Sequence, residues 1–239
     1  MTQIPTIPGS TSLALAILAS GYLCALCMTP PNPSPDRTER HQKDRLSFLA
    51  GTGATITRRI IVTAIIYHSI LTLLPIYASS QTLSTFCPRP QNLNPSLFHW
   101  TPTSASALLF VCAGALIRLA AYKSLSRNFT FHLAAPDELV TTGIYGWVQH
   151  PSYTGMMLVI GGMVLLVLRW DGAAACFHEE AWQERLRGWG VMVVAGGACV
   201  NLGMWFMRMK DEEEMLRGKF GEKWEVWHRS TKRMIPGIF

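Results

Sequence analysis

Five long apolar blocks constrain this chain more than any other feature: Leu13–Met28, Ile60–Ala78, Ala105–Tyr122, Tyr153–Leu168 and Gly188–Met207. A helix rises about 1.5 Å per residue, so blocks of this size approach the roughly 30 Å hydrocarbon core of a bilayer. In lipid the backbone can satisfy its N–H and C=O groups only in helices or closed barrels. The blocks lack the alternation of half-buried strands and therefore read as helices. The first and fourth are short for a span and are expected to recruit flanking residues. Only 15% of the residues are charged, low for a soluble domain of this length. The expected fold is all-α: a polytopic integral membrane protein with about five transmembrane helices.

The basic residues orient these spans. None precedes Leu13, whereas the loop between the first two blocks holds Arg37, Arg40, Lys43, Arg45, Arg58 and Arg59. The second loop holds only Arg89. The third holds Lys123 and Arg127, and the tail from Arg208 onward is again rich in Lys and Arg. Basic loops stay on the cytoplasmic side, which puts the N-terminus outside and the C-terminal tail in the cytoplasm. The fourth loop fits less well, because Arg185 and Arg187 lie in it among Glu179, Glu180 and Glu184. The net charge of +6 comes without a stripe of Lys and Arg interleaved with aromatics, so no nucleic-acid partner is expected. Residues 1–122 read as three spans with a stiff Pro30–Pro35 linker, and residues 123–239 as the region that carries chemistry.

Of the six cysteines, Cys24, Cys27, Cys112 and Cys199 lie in or at the ends of apolar blocks. Cys24 and Cys27 have CxxC spacing but lack a second pair or a nearby His, so packing is the expected role and no metal is called for.

Two polar segments stand out, and both are assigned to the cytoplasm. One runs from Leu139 to Gly155 through Gly143, Tyr145, Trp147, Gln149, His150, Pro151 and Tyr153. Its glycines permit tight turns, and Pro151 suits a first helical turn, whose free N–H groups favour an anion. The aromatics could wall a flat ring, or they could be interface anchors. The other segment begins at Arg208, with Glu212 one turn later and Glu213 beside it. It reads either as a salt-bridged helix leaving the membrane or as a clamp in which Arg208 grips a carboxylate and Glu212 a cation.

Together the two segments resemble the isoprenylcysteine carboxyl methyltransferase family. The matching residues are Leu139-Val140, Thr141, Gly143, Tyr145, His150-Pro151, Tyr153 and Gly155, then Arg208, Glu212-Glu213, Leu216 and Phe220-Gly221. Gln149 stands where the family usually has Arg, and Trp224 and Trp227 where tyrosines are common. The resemblance implies an enzyme that uses S-adenosyl-L-methionine to esterify the C-terminal carboxylate of farnesyl- or geranylgeranyl-cysteine in CaaX-processed proteins. It also implies a multi-pass protein of the endoplasmic reticulum membrane with a cytoplasmic active site. By residue-wise carry-over the cofactor would be contacted by Asp137, Glu138, Leu139, Val140, Gly143, Tyr145, His150, Tyr153 and Glu212, with His132 as a further candidate. Arg208 would hold the substrate carboxylate, and Arg208, Glu212 and Glu213 would form the catalytic group. The cofactor pocket would lie between the loop before the fourth span and the C-terminal tail. Small residues Gly155, Gly161, Gly162, Gly196, Gly197 and Gly203 are expected to let the last two spans pack closely. Transfer to a lipid amine or small acid, or lipid reduction by a nicotinamide enzyme, are the competing readings.

Overall fold

A computed structural model describes residues 7–237. Seven α-helices appear in it: α1 (Ile7–Cys27), α2 (Thr52–Tyr77), α3 (Ser80–Phe86), α4 (Pro102–Leu125), α5 (Pro151–Leu166), α6 (Glu180–Phe220) and α7 (Glu222–Ser230). Among the described residues there is no strand, only two isolated bridges, Arg40 with Ala134 and Val148 with Lys232. The all-α reading therefore holds.

Four helices, α1, α2, α4 and α6, are long and apolar enough to cross a membrane. The fourth block, Tyr153–Leu168, forms a helix shorter than a span. The helix α5 has 16 residues, about 24 Å, and ends before Arg169 and Asp171, which pair with each other in the following loop. By contrast α1 does recruit upstream residues, starting at Ile7 rather than Leu13.

The chain forms two compact units, each assembled from separate stretches. The first comprises the chain up to Ala25, Arg59–Cys112 and Leu158–Ala198. A Cβ at Gly21 of α1 would meet Ile65 of α2 at 2.7 Å. The loops of this unit are tied by a disulfide between Cys87 and Cys176. Asp171 accepts two hydrogen bonds from Arg169, both 2.7 Å, and one from Asn94 at 2.8 Å. Burial raises the Asp171 carboxyl, but these donors outweigh it and hold the group below its ordinary range. Asn92 donates to the carbonyls of Ala175 and His178.

The second unit comprises Leu26–Arg58, Ala113–Met157 and the chain from Cys199. Here Arg118 of α4 is only 7% exposed, yet its Nε and Nη1 both donate to buried oxygens. Its Nε donates to the Cys27 carbonyl at 2.7 Å, and its Nη1 to the carbonyl and hydroxyl of Ser152 at 3.0 and 2.7 Å. The rings of Tyr122, Phe129 and Phe131 flank the guanidinium. Buried arginine is costly unless paired. This one ties the end of α1 to the first turn of α5.

The glycine expectation needs correction. Gly155 packs against α4, where an added Cβ would come within 2.6 Å of the Gly114 carbonyl, and Gly162 does the same against Ala107 at 2.5 Å. Nothing lies within 4 Å of such a Cβ at Gly161, Gly196, Gly197 or Gly203. The close crossing is α4 with α5, two glycines seven residues apart on one face, rather than α5 with α6.

Candidate active site

The candidate site lies within the second unit and is organised by the end of α6. Positions 208, 211, 212 and 215 fall on one helical face. Met209 and Asp211 are each 2% exposed, so this face looks into the unit rather than into water. Beyond it the chain turns at Gly221, whose φ of +53° suits glycine, into α7. Trp224 and Trp227 of α7 join Ala121, Leu133, Tyr145, Met215 and Leu216 in an apolar core. Leu139, Val140 and Ile144 pack against that core. Trp227 Nε1 donates to the Tyr145 carbonyl at 2.9 Å.

Above this core sits a chain of charged contacts. The Tyr153 hydroxyl donates to Glu212 at 2.9 Å, and the Arg208 guanidinium also neighbours that hydroxyl. His150 Nε2 lies 3.1 Å from Glu213 Oε1. Glu213 in turn accepts two hydrogen bonds from Arg233, at 2.9 and 3.0 Å, a fork-to-fork pair. Arg208 is bound by residues that the sequence did not single out. Its Nη1 pairs with Asp44, and its Nη2 donates to the Phe131 carbonyl at 2.5 Å. Burial and the adjoining Glu212 carboxylate push the Tyr145 hydroxyl well above its ordinary range, so it stays protonated. His132, 8% exposed, is held low by burial and by the cations of Arg40 and Arg208, against the pull of Asp44.

The segment before α5 is laced to the C-terminal tail. The Gln149 and His150 amides donate to the carbonyls of Lys232 and Arg233, each at 2.8 Å. Gln149, 3% exposed, also donates through Nε2 to the His228 carbonyl and to Thr231, while its Oε1 lies 2.8 Å from His228 Nδ1. The residue that departs from the family's usual Arg is thus a neutral lock on α7 and the segment after it. Four buried nitrogens of this unit have no hydrogen-bond partner: His41 Nε2, His132 Nδ1, His150 Nδ1 and Trp224 Nε1.

The residues singled out in the sequence fall into three groups. Tyr153, His150, Arg208, Glu212 and Glu213 come together in one network. Leu139, Val140 and Tyr145 gather in the apolar core beneath it, and Gly143, with φ of +62°, forms the turn that brings them there. Asp137 and Glu138 are exposed, and Asp137 pairs with Arg127 at 3.7 Å on the surface, outside this network. Sequence reasoning missed Asp44 and Arg233. A hint existed in the alternation Lys43-Asp44-Arg45, which meets Glu214, Arg208 and Asp211 of α6 in opposite sign.

Comparison with known proteins is consistent with this architecture. The profile of the isoprenylcysteine carboxyl methyltransferase family matches residues 107–187. That stretch includes the segment before α5 but stops short of Arg208 and Glu212. A protein-S-isoprenylcysteine O-methyltransferase from Schizosaccharomyces pombe is 35% identical over 145 residues, 59% of this chain and 52% of that protein. The Mus musculus protein of the same name is 38% identical over 78 residues, 30% of this chain and 27% of its own length. The alignments thus span about half the length of the first relative and about a quarter of the second. Over these stretches the chain is similar to isoprenylcysteine carboxyl methyltransferases.

Proposed function

We propose that this protein transfers the methyl group of S-adenosyl-L-methionine to the C-terminal carboxylate of a prenylated cysteine. The observation that carries the reading is the single network in which Arg208, Tyr153 and Glu212 adjoin His150 and Glu213. A carboxylate acceptor calls for a guanidinium, and a cationic methyl donor calls for a carboxylate and uncommitted polar groups. The buried, unpartnered Nδ1 of His150 and Nε1 of Trp224 fit a polar ligand, since such atoms in proteins are normally satisfied. Glu212, His150 and Tyr153 would hold the donor, and the Leu139, Val140 and Tyr145 layer would support them from below.

When bound, S-adenosylmethionine supplies an electrophilic methyl on positively charged sulfur. Arg208 holds and orients the acceptor carboxylate. The acceptor is ionised at neutral pH, so no general base is needed. Tyr145, kept neutral by its surroundings, cannot compete as an anion. One lone pair of the carboxylate forms the O–CH3 bond as the C–S pair returns to sulfur, and no proton moves. The remaining work is proximity and in-line orientation, which can be worth roughly 7–11 kcal/mol. A prenyl chain leaves lipid only at about 0.8 kcal/mol per CH2, which accounts for placing such chemistry in a membrane protein.

The protein is read as a multi-pass resident of the endoplasmic reticulum with its tail in the cytoplasm. The Cys87–Cys176 disulfide supports this orientation. It joins the loop after α2 to the loop after α5, and a persistent disulfide belongs to an oxidising compartment. The first of these loops is outside by the basic-residue count, and the second is outside by alternation of the five spans.

The test is direct. Purified protein with labelled methyl donor and a farnesyl-cysteine acceptor should give a base-labile methyl ester. Label passing to a lipid amine but not to prenylcysteine would replace the proposed acceptor. Tight binding of NADPH, with none of S-adenosylmethionine, would remove methyl transfer altogether.

A further inference from the structure

Three consecutive residues of the loop between α1 and α2 meet the end of α6 in alternating sign. Lys43 pairs with Glu214 at 2.5 Å, Asp44 with Arg208, and Arg45 with Asp211 at 3.4 Å. The outer two pairs each have a side chain that is 61% exposed. The central pair is buried, with the Asp44 side chain 4% and that of Arg208 11% exposed. The second oxygen of Asp44 accepts the Leu133 N–H at 3.1 Å, and the neighbouring His41 N–H donates to the Leu133 carbonyl at 2.7 Å. Both oxygens of Asp44 are therefore occupied, and the carboxylate is fixed by the loop before α5 as well as by α6.

We propose that Asp44 is a positioning residue for methyl transfer, setting both the direction and the effective charge of the Arg208 guanidinium that holds the acceptor carboxylate. This inference rests on the proposed role of Arg208. Its physical basis is the conflict built into any carboxylate methylation. A guanidinium strong enough to bind the acceptor with its whole fork ties up the lone pairs that must attack carbon. Here Asp44 takes Nη1 and the Phe131 carbonyl takes Nη2, so the fork is already shared. An incoming carboxylate meets a guanidinium that is partly neutralised and turned by two fixed partners. It is held by what remains of the donor set, with one oxygen free to form the O–CH3 bond. Affinity for the acceptor is given up, and nucleophilicity is kept. That is binding energy withheld from the ground state so that it does not deepen the well from which the reaction starts.

The discriminating variant is Asp44→Asn, which keeps shape and an acceptor for the Leu133 N–H but removes the charge. For farnesyl-cysteine, the expected result is a KM lowered about fivefold together with a kcat lowered about tenfold or more, a combination that loss of structure does not produce. Asp44→Glu, which keeps the charge but moves it, should lower kcat while leaving KM near the wild-type value. It also carries the test if Asp44→Asn fails to accumulate. Three results overturn the proposal: unchanged constants; KM and kcat both worsening along with the melting temperature; or kcat rising as KM falls, which would make Asp44 an inhibitory plug. A binding arm without methyl donor separates this from the functional reading. Preference for N-acetyl-farnesylcysteine over its methyl ester should increase in Asp44→Asn and vanish in Arg208→Ala. If wild-type protein binds with that preference but never turns over, methyl transfer falls and the Asp44–Arg208 relation is still decided by the binding ratios.

Discussion

The two stretches of α6 are made on opposite plans. From Gly188 to Met207 the helix is apolar and outward-facing, with Val191 75%, Met192 65% and Val200 65% exposed. From Arg208 onward charged side chains turn inward and are paired: Arg208 with Asp44, Asp211 with Arg45, Glu213 with His150 and Arg233. Apolar side chains pointing outward are cheap where the solvent is lipid. Buried charges are expensive anywhere and are retained only where each finds a partner. One continuous helix thus serves as an inert span over most of its length and as the spine of the proposed site over its last four turns. Within α6, the proposed site lies where the helix bears the cost of burying charge.

That contrast can be broken most severely at Arg208. Arg208→Ala should reduce methyl transfer by about 10³-fold or more, because the acceptor loses its anchor and Asp44 is left unpaired. The unpaired carboxylate should also destabilise the second unit by about 3–5 kcal/mol. Arg208→Lys, which keeps the charge but not the fork, should still lose at least about tenfold in kcat/KM. Near-wild-type turnover in either variant would leave α6 as a span with a salt-bridged end.

A smaller effect is expected at His150. His150→Ala should weaken S-adenosylmethionine binding about tenfold, read by equilibrium binding, since both ring nitrogens are lost from the network. An unchanged dissociation constant would make His150 an interface anchor instead. Next comes Gln149. Gln149→Ala removes the buried lock on Thr231 and His228 and should lower stability by about 1–3 kcal/mol. It should show mainly as a lower melting temperature, with S-adenosylmethionine affinity close to normal at low temperature. The smallest effect lies at the disulfide. Cys87→Ser should leave kcat unchanged and lower the melting temperature by a few degrees. In sealed microsomes, Cys87 should become reactive to a thiol reagent only after a membrane-permeant reductant. Labelling from the cytoplasmic side without reductant would reverse the assigned orientation.

Much of this protein was legible in one dimension. Helix content and four of the long apolar spans follow from periodicity, because each depends on residues within a few turns of one another, whereas the pairing of the His150 and Arg208 segments came from the family resemblance. The helix α5 has the length of its apolar block but lies two residues upstream, at Pro151–Leu166 rather than Tyr153–Leu168. Its apolar run continues through Val167 and Leu168, but the Arg169–Asp171 pair closes the loop there. The glycine contacts were assigned to the wrong neighbour, because a small residue announces close approach without saying to which helix. Asp44 was invisible because its partner lies 164 residues away. Nothing in a loop of mixed charge marks the one carboxylate that will be buried.

The sequence alone determined the solvent of this chain, the class of its secondary structure and the chemical vocabulary of its site, since hydropathy and motif are carried by neighbours along the backbone. Only the tertiary structure decided which glycine faces which helix, that Cys87 meets Cys176, that Gln149 binds the tail, and that Arg208 is already held by Asp44. Each of these is a contact between residues distant in the chain. Such contacts depend on how long-range packing satisfies buried polar groups and fills space, and neither can be read from local order.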